Sequence, residues 1–503
     1  MERELPMNRR GLVRTVLDDG SHRYIIMLSI LYVAGLISTA VFGGSWGAYK
    51  GVIGLWSLAY LGLIYQLVRS DLGSRLERLD PKQIMVGIFL ISLILHLPFL
   101  LQEPSLSQDI MRLERRGELL MDGAFPYRDF DVNKPPLYIW MVGLISLPLG
   151  PDQQVFRTIF VLANSLVPVM MLLIYRYRSL TCTERLPERR NGFNWFNASI
   201  AYVLCPIPLI EIGWGGHFDP VVVLITLGSF YFLLRRGPFL SGALLGTAFA
   251  LKLYPLFIAP IFFLTFPKWR DRALFAAGFA VPTVLSALPL ILVDPRLILD
   301  YLQYQFYGWS TGISIRGALE AGLDRLGLPL DAGYYIVTAI LVLAVPYFAI
   351  RGMSRRLEKW DLAPVVLLML LFAVLGTILQ AVYLSEYENG NMDVFLGWGG
   401  TAIAIFLSAV GIYVFMHFKG PNDPFPRRWN LKRLFTDHID PVSVPMLSSC
   451  ILMVLMLTSA QFHTWYIIWA LPFLFISDNS HFTWSSLMIF SAYQINGYLP
   501  WDI

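Results

Sequence analysis

The sequence is short of charge, short of cysteine and without any long polar stretch. Only 15% of its 503 residues are charged, against about 25% in an ordinary soluble domain. No polar segment is long enough to fold as a separate domain, which excludes a soluble enzyme held by one anchor. The three cysteines are Cys182 in a basic loop, and Cys205 and Cys450 in apolar segments. They make no CxxC or Cys/His spacing, so neither a disulfide framework nor a zinc site is indicated. The basic residues are scattered among loops with no interleaved aromatic platform, which argues against a nucleic-acid partner. The apolar segments are continuous rather than alternating, which excludes an outer-membrane barrel.

What is present is hydrophobicity: 56% of the residues are apolar and the mean hydropathy is +0.58. With roughly 20 residues per crossing, about fourteen crossings would take up just over half of the chain. The expected fold is an all-α polytopic membrane protein with about 13–15 transmembrane helices. Candidate spans fall near 24–42, 50–68, 82–101, 154–174, 196–212, 219–234, 239–266, 272–293, 334–350, 362–384, 393–417, 442–460, 463–477 and 482–499. Arg9, Arg10 and Arg14 precede the first apolar run without a small-residue cleavage site, so that run reads as a retained helix. The division expected is 1–81 for two N-terminal helices, 82–300 for a membrane module that includes the hydrophilic stretch 102–135, and 301–503 for a C-terminal membrane module.

The net charge of +4 is ordinary for a membrane protein with basic cytoplasmic loops. Arg-rich segments at 1–23, 69–82, 175–190, 351–359 and 427–433, with Arg235, Arg236 and Lys268-Trp269-Arg270, are assigned to the cytoplasm. The hydrophilic stretches 102–135, 294–332 and 385–392 then fall outside. Residues 136–150 are apolar but short for a crossing, and read as a juxtamembrane or re-entrant piece. The run 239–266 is interrupted at Lys252-Leu253-Tyr254-Pro255, which predicts two half-helices with Lys252 at the break.

Stretch 102–135 holds seven acidic and five basic residues. Ser107 can cap a short surface helix with Ile110, Leu113 and Leu120 at helical spacing. Asp109 would sit in its first turn, where the helix dipole favours the ionised form, suited to take a proton from a sugar hydroxyl. A solvated loop helix explains the same carboxylates. In 124–138, Pro126 and Pro135-Pro136 put Arg128, Asp129, Asp131 and Lys134 on rigid extended backbone. Arg128 and Lys134 suit a phosphate, and Asp129 and Asp131 suit sugar hydroxyls or a metal. A rigid loop with internal ion pairs is the other account.

In Glu211-Ile212-Gly213-Trp214-Gly215-Gly216-His217-Phe218-Asp219-Pro220, His217 is a candidate site residue, while Asp219 matches an N-cap before Pro220. Lys252 inside an apolar run needs a partner, which a lipid phosphate would supply; snorkelling to the interface is the alternative. Gln461 and His463 stand at a further helix junction rich in Trp and Tyr, and the stretch from Gln305 to Arg316 could cover a sugar site.

Taken in order, Ser107-Gln108-Asp109, Pro126-Tyr127-Arg128-Asp129-Phe130, Lys134-Pro135-Pro136-Leu137, Trp214 to Asp219, Gly246 to Pro255 and Gln461 to Pro472 resemble the GT-C membrane glycosyltransferases. The later pieces look most like glycosyltransferase family 87, the polyprenol-phosphate-mannose α-mannosyltransferases. The likeness covers roughly 82–480. It implies a GT-C fold and a hexose, mannose above all, moved from a polyprenyl- or dolichyl-phosphate donor to a lipid-linked glycan or glycolipid acceptor. The site would lie on the extracytoplasmic face of the plasma membrane. Asp109 would be the general base of an inverting reaction, and Arg128, Lys134, Lys252 and His217 would bind the donor and its phosphate. Tyr127, Asp129, Asp131, Gln461, His463 and Arg316 are substrate-contact candidates. No metal or other cofactor is implied. Two departures from the family pattern are His217, where a Gln-containing segment is usual, and the two extra helices at the start. The competing readings are a flippase or transporter of lipid-linked sugars, a membrane scaffold, and, within the superfamily, an aminoarabinose or protein O-mannosyl transferase.

Overall fold

Proline punctuates this chain, because it fixes φ, lacks an N–H and is tolerated best in the first turn of a helix. Among the described residues of the computed structural model, seven helices carry proline at their first or second position: Pro81, Pro136, Pro206, Pro220, Pro238, Pro255 and Pro445. The structure describes residues 20–42, 46–69, 80–102, 108–181, 195–298, 444–458 and 464–477, with isolated positions at 301, 441, 483, 486 and 487. The spans expected near 334–350, 362–384, 393–417 and 482–499, the outer stretch 385–392, most of 294–332, and Gln461, His463 and Arg316 lie outside the described residues.

The helices are α1 (Gly20–Phe42), α2 (Trp46–Arg69), α3 (Pro81–Leu100), α4 (Gln108–Met121), α5 (Pro136–Leu149), α6 (Gln153–Thr181), α7 (Trp195–Val203), α8 (Pro206–Gly213), α9 (Asp219–Leu234), α10 (Pro238–Leu251), α11 (Pro255–Thr265), α12 (Trp269–Val293), α13 (Val444–Thr458) and α14 (Ile467–Ile476). A 3₁₀ turn at Thr464–Tyr466 leads into α14. Among the described residues four helices are long and apolar enough to cross a membrane, or five if the bent pair α7–α8 is one span. The chain is an all-α polytopic membrane protein.

Two expectations about breaks had different outcomes. The run 239–266 divides where Lys252 adopts extended backbone (φ −157°, ψ 143°) between α10 and α11. The run 196–212, expected as one span, is two helices bent by 45°, a broken span or a re-entrant pair. Pro206 forces Cys205 out of the helical region, to φ −65°, ψ 122°. Residues 136–150 form α5, whose 14 residues reach about 21 Å at 1.5 Å per residue, short of a bilayer's ~30 Å hydrocarbon core.

Close backbone packing joins α10 to α12. A Cβ built on Gly242 or Gly246 would lie 2.0 or 2.1 Å from the carbonyl oxygen of Phe275 or Phe279, and one on Gly278 would meet Phe239 O at 2.2 Å. In lipid, such small-residue contacts replace the hydrophobic effect as the force that brings helices together. At one end of the bundle Arg157, fully buried, ties α3 to α8. Its guanidinium donates to Gly213 O at 2.7 and 3.0 Å, to Gln102 O and Gln154 Oε1 at 2.9 Å, and to Phe99 O. The Phe99, Gln102 and Gly213 carbonyls lie at the C-terminal ends of α3 and α8, where carbonyls lack i+4 partners, so one planar cation meets two C-termini at once.

Candidate active site

The Arg157-capped end of α8 leads directly into Trp214-Gly215-Gly216-His217. Here the chain curls back on itself: Gly215 N–H donates to Ile210 O (3.1 Å), Gly216 N–H to Ile212 O (3.2 Å) and His217 N–H to Glu211 O (3.3 Å). Gly216 has φ +67°, and a Cβ there would lie 2.7 Å from Ile110 Cδ1. Only glycine satisfies both conditions without strain, and the missing side chain lets the first turn of α4 sit against the corner.

That contact brings Asp109 to His217. Helix α4 is amphipathic and buries Ile110 and Leu113, and Asp109 lies in its first turn with about a quarter of its side chain exposed. Asp109 Oδ2 is 3.4 Å from His217 Nδ1, while Oδ1 is 3.8 Å from Arg112 Nη1. On its other side His217 presents Nε2 to Glu211 Oε2 at 3.6 Å, and Trp465 stacks on the ring with centroids 4.0 Å apart. Burial pushes the Asp109 carboxyl up, but Lys134, His217 and Lys252 together prevail and hold it well below the usual carboxylate range. The helix N-terminus acts in the same direction.

Beside this group sits a second one. Lys252 Nζ pairs with Asp219 Oδ1 at 2.6 Å, and the indole N–H of Trp469 donates to the same oxygen. The ammonium lies over the rings of Phe218, Tyr466 and Trp469, 5.1, 5.2 and 4.8 Å from their centroids. Tyr254 and Tyr466 stack on the two faces of this aromatic array, with Trp469 common to both contacts. Asp219 Oδ2 is buried and has no hydrogen-bond partner among the described residues. Asp219 was expected as the N-cap of α9. Phe218 takes that position and Asp219 is the first helical residue, making no cap bond, which frees its carboxylate for Lys252.

The loop before α5 is held from below by Arg116, which donates to Tyr138 Oη (3.3 Å), Asp131 O (3.3 Å) and Asn133 Oδ1 (3.1 Å). Tyr127, at φ +65°, donates its hydroxyl to Lys134 O at 2.6 Å. These bonds fix the backbone from which Lys134 acts on Asp109. Arg128 and Asp129 are exposed and form a two-point ion pair, both bonds 2.8 Å. That pair, with the Phe125 N–H, holds Asp129 down to about 2. The Asp131 side chain is exposed as well. Among the described residues no group of three or more His, Cys, Asp or Glu side chains is arranged to hold a metal ion.

The structure therefore gathers Asp109, His217, Lys134 and Lys252 and leaves Arg128 and Asp129 paired with each other. It adds Glu211, Trp465, Trp469, Tyr466 and the Asp219 carboxylate, which sequence reasoning did not place in the site. Glu211 carried a signal, being an ionisable residue in the apolar run Pro206–Trp214. The aromatic residues carried none beyond an interfacial belt.

A multi-pass helical bundle with a charged, aromatic-walled cluster at its helix ends is the setting of a membrane-embedded enzyme. The family model for glycosyltransferase family 87 matches residues 135–386, just over half of the chain. The chain belongs to that family and is a glycosyltransferase. Glu211, His217, Asp219 and Lys252 lie within the matched segment, and Asp109 and Lys134 just before it. Comparisons with curated proteins and with solved structures returned no significant match.

Proposed function

We propose that this glycosyltransferase moves a hexose, mannose by preference, from a polyprenyl-phosphate donor to a lipid-linked glycan or glycolipid acceptor at the extracytoplasmic face of the plasma membrane. The observation that carries the reading is a carboxylate, Asp109, held ionised beside two lysines at one end of the bundle. Asp109 accepts the proton of the acceptor hydroxyl as that oxygen attacks the anomeric carbon in line. The bond from that carbon to the phosphate oxygen breaks, its electron pair leaves on the lipid phosphate, and the anomeric configuration inverts. Lys134 and Lys252 neutralise the charge that develops on the leaving phosphate. An ammonium has three donors, so Lys252 can keep Asp219 and still meet a phosphate oxygen, and the surrounding rings strengthen that interaction by excluding water.

Arg176, Arg178, Arg235, Arg236, Lys268 and Arg270 support the sidedness. Arg235, Arg236 and Lys268 flank the ends of α9, α10 and α11 opposite to those at Asp219, Lys252 and Pro255, and Arg176, Arg178 and Arg270 lie in the last turns of α6 and the first turn of α12, as a basic cytoplasmic side opposite the site requires. Gathering of the ionisable groups at one end also favours an enzyme over a flippase, which needs charges near the midplane.

The test is incubation of the purified, lipid-reconstituted protein with polyprenyl-phosphate sugars and a membrane-lipid extract. The expected result is release of polyprenyl phosphate and labelled glycolipid with an inverted linkage. Turnover of a nucleotide sugar alone, or of no lipid-linked donor, overturns the proposal.

A further inference from the structure

His217 lies between two carboxylates, and the established activity gives no reason for the second. Nδ1 faces Asp109 from 3.4 Å and Nε2 faces Glu211 from 3.6 Å, while Trp465 covers one face of the ring and fixes its plane. Glu211 and His217 are both buried. Their geometry is set by the backbone, because the His217 N–H bonds back to the Glu211 carbonyl across the glycine corner. A ring nitrogen facing a carboxylate meets it best with its proton in place.

We propose that Glu211 is a positioning residue that acts through His217: it orients the imidazole so that Nδ1–H occupies Asp109 Oδ2, which leaves Oδ1 to take the acceptor's proton. This rests on Asp109 being the base. The titratable and charged groups facing Asp109 are His217 from the corner, Arg112 from its own helix, Lys134 from the loop before α5 and Lys252 from the end of α10. Of these, His217 has a second carboxylate, Glu211, turned toward its far side.

The experiment compares wild type with Glu211→Gln, His217→Gln and the double variant, using whichever polyprenyl-phosphate sugar the wild type turns over. Glu211→Gln is expected to lower kcat roughly 10-fold, as loss of a close polar contact of about 1.4 kcal/mol would, with little change in KM. A ring that Glu211 no longer orients withdraws its Nδ1–H from Asp109, and loss of that contact lets the carboxyl rise, so the acid limb of the kcat profile moves to higher pH. The double variant should be no worse than His217→Gln alone, because Glu211 works through the ring. Glu211→Asp should recover part of the loss. A Glu211→Gln enzyme of lowered stability with the wild-type acid limb, an acid limb moved to lower pH, or additive losses in the double variant would each overturn the proposal. If Glu211→Gln does not fold, His217→Gln alone must still move the limb upward. Asp109→Asn run in parallel separates the two failures. Near-normal turnover by that variant removes the base assignment and this inference together. An inactive Asp109→Asn beside an unmoved Glu211→Gln limb removes this inference only.

Discussion

At the residue scale the site is a matter of which charges find partners inside the bundle. Asp219 and Lys252 are 33 positions apart, and their pairing depends on the antiparallel turn from α9 into α10. Lys252 was legible as a costly charge in an apolar run. Its partner was not, because Asp219 before Pro220 has the local pattern of a helix cap, and only tertiary packing shows the carboxylate turned elsewhere. Removing one member of a buried pair leaves the other uncompensated, at a cost of about 3–5 kcal/mol. Lys252→Met should therefore lower thermal stability in detergent by that order, and adding Asp219→Asn should return much of it. Additive losses would contradict the pairing.

The pH response belongs to the same scale. Asp109 has a folded-state pKa below its unfolded value, so the stability its contacts contribute is fully present above the ordinary carboxylate value of about 4. That stability is lost as pH falls through the depressed value, and with it the proposed base function. The acid limb of kcat/KM should accordingly lie below about pH 4, as far as the enzyme stays folded. A limb at or above pH 5 would show that Lys134, His217 and Lys252 do not govern this carboxyl.

At the scale of elements, helix ends and close helix contacts determine where the site falls. Arg157 supplies donors to the ends of α3 and α8, and Gly213 opens the corner that carries His217. Arg157→Gln should lower stability by about 3 kcal/mol or more, since several buried carbonyls lose partners. It should also reduce turnover through displacement of His217. Arg157→Lys, with fewer donors and no planar fork, should fall between. Gly246→Ala should cost about 1–3 kcal/mol by forcing a methyl into the Phe279 carbonyl. Gly87→Ala, with open space around its Cβ, should be neutral or slightly stabilising, as helix propensity predicts.

Helix existence was readable here because apolar runs and proline starts are local signals. The start of α9 at Asp219 and the break at Lys252 to Pro255 follow from them. The bend at Cys205-Pro206 was written in the same code but was hidden by an unbroken apolar run, and hydropathy alone does not register a proline in the middle of one. The place of Asp109 in the first turn of α4 was readable because amphipathic spacing and a first-turn carboxylate are both local. Glu211 and the aromatic walls were not, because their roles come from the curl at Gly216 and from helices far apart in sequence.

At the scale of the whole molecule, scarcity of charge is informative. Basic residues at one end of the bundle and a mixed-sign cluster at the other fit a catalytic site at one membrane face. The central claim is that Asp109 is the base for sugar transfer from a lipid phosphate, and the most direct measurement is single-turnover transfer by wild type and Asp109→Asn. Both should be loaded with the same polyprenyl-phosphate sugar and checked for equal donor binding. The account predicts unchanged binding and a chemical step slowed by roughly 10²- to 10⁴-fold, the range for loss of a general base. Equal binding with an Asp109→Asn rate within a few-fold of wild type would contradict it.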